Sequence, residues 1–178
     1  MSDIHWADRI YNRLIGRDIS YIATGGFIIL TYQWAWLNEI TILKGNLQTS
    51  IAYLFAAYLL GLSVSEFFSI IKVAPKDTGI TDIQLGSLFE NFNHELPYVL
   101  FERTVALMHV GAAICGSSAV SSLILILRLI KYHYLCTQQV LVLVICLVTF
   151  GLSILYTRRK HTKVLEDIQF LREPTHQL

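Results

Sequence analysis

Four ionisable residues lie beside or inside apolar sequence: Glu66 near the end of one run, Glu102 and Arg103 at the head of another, and His109 within it. A carboxylate, guanidinium or imidazole in lipid is costly unless it is paired or faces water, so position alone makes each a functional candidate. Glu66 and Arg103 carry opposite charges and are expected to form an intramembrane ion pair, or to contribute to an ion path. Glu102 precedes His109 by seven positions, about two helical turns, which places both on one helix face. A near-neutral pKa suits His109 to proton relay or gating, beside the plainer role of a hydrogen-bonded helix contact.

Other chemistry finds less support. His94, Glu95, Glu102 and His109 lack the HExxH spacing that brings two imidazoles to one zinc ion. No GxSxG, Walker loop or Cys and His arrangement points to nucleophilic catalysis. Cys115, Cys136 and Cys146 show no metal-type pairing and are expected to behave as small hydrophobes. No metal, cofactor or catalytic residue is expected.

The elements that position these residues follow from composition. The chain has 178 residues, 54% hydrophobic and 15% charged, with a mean hydropathy of +0.52, which is too apolar for an average soluble domain. A net charge of +1 leaves no broadly basic surface, so stable nucleic-acid binding is not expected. Thr104 to Leu127 contain no Asp, Glu, Lys or Arg, enough sequence to cross about 30 Å of hydrocarbon as a helix. The first half of this stretch, Gly111 to Ala119, is built largely from small residues that let helix backbones approach closely. Three further spans are expected, over 19–37, 51–71 and 140–156, with Trp34 and Trp36 as an aromatic belt and Thr157 to His161 stopping the last. In the second, Ala52, Ala56, Gly61 and Ser65 offer small-residue contacts.

Flanking segments complete an all-α polytopic membrane protein. Residues 1–18 read as an amphipathic interfacial helix with Arg9, Arg13 and Arg17 on one face, and no cleavable signal peptide is visible. The membrane domain covers 19–156 and includes a polar connection, 72–97, in which Ile83 to Phe92 suggest an amphipathic helix. Residues 157–178 form a basic tail, with Arg158, Arg159 and Lys160 as further candidates for lipid or partner contacts. Ten Lys and Arg residues flank the spans in the N-terminal segment, the 72–97 connection and the tail, against Lys44, Arg128 and Lys131 in the other two connections. That bias puts both termini in the cytoplasm. Four helices enclose no channel, so conduction would require a homo-oligomer.

Arg103 and His109, separated by five residues within a helix, resemble the loose motif of HEPN ribonucleases, in which two such motifs meet across a dimer to cleave RNA. Thr104 stands where that family carries a polar Asn, Asp or His. Small size, several apolar helices and this divergent motif together resemble the small membrane accessory proteins encoded beside Cas13b in type VI-B CRISPR loci. The resemblance implies an oligomeric pore in the inner membrane of a bacterium, acting in antiviral defence with a Cas13b-type RNA-guided nuclease as functional partner. It also implies that Arg103 and His109 hold helix or subunit contacts. A non-conducting membrane anchor or interaction subunit is the alternative, and a membrane-bound HEPN-type ribonuclease comes third.

Overall fold

The computed structural model describes residues 17–37, 45–75 and 95–172, with the side chains at 95–100, 102 and 170–172 outside the description. The described chain is all-α: α1 (Ile19–Tyr32), continued by a π-helical turn over Gln33–Leu37, then α2 (Leu47–Ile70), α3 (Glu95–Tyr132) and α4 (Thr137–Arg172). The interfacial helix expected over 1–18, apart from Arg17 and Asp18, lies outside the described residues, as does the amphipathic stretch expected between Ile83 and Phe92.

Local chemistry sets the helix ends. Asn46 is extended and its side-chain oxygen accepts from Thr49 N at 3.0 Å, an N-cap worth about 1 kcal/mol to α2. Lys72, at φ 57°, turns the backbone left-handed beyond Ile70, and the amides of Val73 and Ala74 donate back to the Phe68 carbonyl. His133 repeats the device after α3 at φ 54°. At the start of α4 the Gln139 side chain accepts from Cys136 N at 3.2 Å, the reciprocal half of a capping box.

The helices pack as two antiparallel hairpins, α1/α2 and α3/α4, and α3 also contacts both α1 and α2. In the α1/α2 pair, Gly25 faces Ala57 and Gly61 faces the Tyr21 carbonyl, so that a Cβ on either glycine would collide with the opposite backbone. Such a crossing gains dispersion contacts that larger residues would forbid. In the α3/α4 pair, Gly111 lies against Thr157 and Tyr156. Farther along, Phe101 and Met108 enclose a small core with Val164 and Ile168. Gly116 meets Val64 of α2, so α3 is pressed on both sides.

The structure refines three expectations. Only α2, α3 and α4 are each long and apolar enough to cross a membrane among the described residues. The 14 residues of α1 reach about 21 Å, and the π-helical turn extends the segment 19–37 to about 27 Å, against a hydrocarbon core of about 30 Å. The apolar run of α4 ends near Tyr156, yet the helix continues through Thr157 to His161 and on to Arg172. Val164 and Ile168, one turn apart, are buried against α3 and hold that extension in place. Finally, the small residues of α2 divide between two faces: Ala57, Gly61 and Ser65 are buried, whereas Ala52 and Ala56 are exposed.

Candidate functional site

Polar side chains converge near the start of α1. Close approach of α1 to α2 at Gly61 leaves Tyr21 only 2% exposed. Its hydroxyl lies 3.3 Å from His109 Nδ1 of α3, and its ring meets Tyr58 of α2 edge-on at 6.1 Å. Three helices thus contribute one residue each. Thr24, one turn further on, donates its hydroxyl to the Ser20 carbonyl at 2.7 Å and needs nothing from its neighbours. Arg17 pairs with Asp18 at 3.1 Å just before the helix, at the more exposed edge of the cluster.

The chemistry of the Tyr21 and His109 contact is proton placement. If Nδ1 is unprotonated the phenol donates to it, and if Nδ1 carries the proton the phenolic oxygen accepts, so one contact serves either tautomer. The ring is thereby oriented and held half-buried beside the α1/α2 crossing.

The other sequence-selected residues are placed apart. Arg103 is exposed and lies six positions before His109, a rotation of about 240° more than one full turn. Arg103 and His109 therefore occupy different faces of α3. Glu66 is also exposed, close to Val64, which stands against Gly116. Because α2 and α3 are antiparallel, that register puts Glu66 about 17 Å along the axis from Arg103. The two are not level with one another. Glu102 falls among the side chains outside the description. Arg158 and Arg159 are exposed on α4, and the Lys160 ammonium lies 5.6 Å from the centre of the Tyr156 ring. Arg9 and Arg13 are outside the described residues. No group of three His, Cys, Asp or Glu that could hold a metal occurs among the described residues.

Tyr21 and Tyr58 were missed by sequence reasoning. Each sits at an unremarkable position in an apolar run, and only the crossings of α1 with α2 and α3 bring Tyr58 to Tyr21 and Tyr21 to His109. No family model, curated protein or solved structure matches this chain.

Proposed function

We propose that the protein is a multi-pass inner-membrane protein that assembles with copies of itself into a pore, acting as a membrane effector of bacterial antiviral defence. The carrying observation is the outward face of α2. Ala52, Ala56, Ser63 and Glu66 recur at helical spacing on the side opposite Ala57, Gly61 and Ser65, all four exposed, with Leu59 and Ile70 exposed on the same face. Elsewhere the outer surface is built from large apolar residues such as Leu141, Ile145, Val148, Leu152 and Leu155 of α4. A face on which small and polar positions and a carboxylate alternate with Leu59 and Ile70 is less well matched to lipid than that of α4, and suits contact with a neighbouring copy around a hydrated path.

A fourth crossing by 19–37 agrees with this reading. Tyr21 contacts His109, and at the other end of the segment Trp36 lies 6.0 Å from Tyr132, so the helical segment 19–37, about 27 Å long, lies along α3. Four crossings would return both termini to the cytoplasm, as the distribution of basic residues requires. The link to an RNA-guided nuclease of the Cas13b type rests on the resemblance carried by Arg103 and His109.

A second reading, a non-conducting anchor, is favoured by the packed continuation of α4 beyond its apolar run, which forms a two-helix platform with the start of α3. Dye release from vesicles holding the purified protein separates the readings. Release that falls several-fold in Glu66→Gln supports the pore. Intact vesicles together with a stable complex formed through residues 157–172 support the anchor. RNA cleavage abolished by Arg103→Ala would replace both with an enzyme.

A further inference from the structure

At the end of the bundle away from His109, two cations are gathered on aromatic rings contributed by two helices. The Lys131 ammonium lies 5.0 Å from the centre of the Trp36 ring and 5.2 Å from that of Tyr132. The Arg128 guanidinium carbon is 5.6 Å from the Tyr132 ring, and the two rings are 6.0 Å apart at 59°. Lys131 and Tyr132 are exposed, while Arg128 is half-buried. The rings attract the cations through their quadrupoles but do not neutralise them.

Countercharge is scarce here. Residues 103–165 contain no Asp or Glu, and between Asp18 and Glu66 the only carboxylate is Glu39, which lies outside the described residues. The Arg128 Nε is buried without a hydrogen-bond partner, leaving a donor unsatisfied in a residue whose planar fork is matched to phosphate oxygens. Two cations gathered on aromatic rings, an unsatisfied guanidinium donor and amphipathic rings at a span end together describe a receptor for an anion at headgroup depth.

We propose that Arg128 and Lys131, framed by Trp36 and Tyr132, bind a phosphate group at this membrane surface. The arginine would hold phosphate oxygens by directed hydrogen bonds and the lysine would supply a mobile second charge. Neither the pore nor the anchor reading is needed for this site. Its phosphate can come from an anionic phospholipid or from solution, and the two sources are separable.

The test measures thermal unfolding of the detergent-solubilised full chain with added phosphatidylglycerol, phosphatidylcholine or inorganic phosphate. Phosphatidylglycerol is expected to raise Tm by several degrees more than phosphatidylcholine, and Arg128→Gln with Lys131→Gln is expected to abolish the difference. Lys163→Gln, at an exposed position of α4, should keep it. A matching rise with inorganic phosphate assigns the site to phosphate from either source, and no such rise assigns it to the lipid. An equal phosphatidylglycerol effect in wild type and in the Arg128/Lys131 variant overturns the proposal. Should that variant fail to fold, photo-crosslinking of a phosphatidylglycerol probe to the wild-type chain decides. Adducts in the peptides holding Trp36 or residues 128–132 support the site, and adducts confined to other segments overturn it.

Discussion

The two helices of the α3/α4 hairpin are both long and strongly apolar, yet 56% of the apolar window of α3 is buried inside the protein against 17% for α4. Residue size accounts for the difference better than apolarity. The buried side of α3 carries Gly111, Ala112, Cys115, Gly116, Ser117, Ser118, Ser121 and Ser122. α4 instead presents Leu, Ile and Val outward. In lipid no hydrophobic force drives a helix inward, so the helix that permits the closest backbone approach becomes the centre.

Glycine replacements give the strongest test. A side chain at Gly61 or Gly116 must displace the Tyr21 backbone or Val64, so Gly61→Leu and Gly116→Leu are expected to cost about 3 kcal/mol or more, and to shift thermal unfolding in detergent strongly downward. Gly151 of α4 has nothing within 4 Å of where its Cβ would be, and Gly151→Ala should stabilise by up to about 1 kcal/mol through helix propensity. Equal effects at the two helices would remove the distinction between centre and periphery.

Large side chains should repeat the contrast with smaller amplitude. Met108 is fully buried between α3 and α4, so Met108→Ala is expected to lose about 2 to 5 kcal/mol, whereas Leu152→Ala at a 62% exposed position should change little. Unfolding in a graded detergent series reads both.

A charge cycle sharpens the register between α2 and α3. With Glu66 and Arg103 on different levels, Glu66→Gln and Arg103→Gln should combine additively within about 0.5 kcal/mol. Coupling of 1 kcal/mol or more would move the two helices into the alignment expected from topology alone. The smallest effect is expected at Ser121, whose buried hydroxyl has no hydrogen-bond partner. Removing an unsatisfied polar atom relieves its desolvation penalty, so Ser121→Ala should be neutral or slightly stabilising in the same unfolding assay.

Some of this arrangement could be read in the chain. The uncharged run from Thr104 to Leu127 and its small residues marked α3 as a span with a close partner. Hydropathy sets the end of the last apolar run near Tyr156 but not the length of its helix, which continues through Arg158 to His161 and on to Arg172. Those residues are compatible with helix, and the buried pair Val164 and Ile168 lies beyond them on the face toward Phe101 and Met108.

By itself the sequence determined helical class, the apolar runs and the residues that permit close approach, since these depend on local composition and on the polar backbone needing internal hydrogen bonds in lipid. Tertiary structure decided which small residues meet. It buried Gly61 while leaving Ala56 exposed, brought Tyr21 to His109, and set Trp36 beside Lys131. Those outcomes depend on helix rotation and register, and a one-residue change rotates a helical side chain by about 100°. Sequence leaves that angle open until a neighbouring helix fixes it.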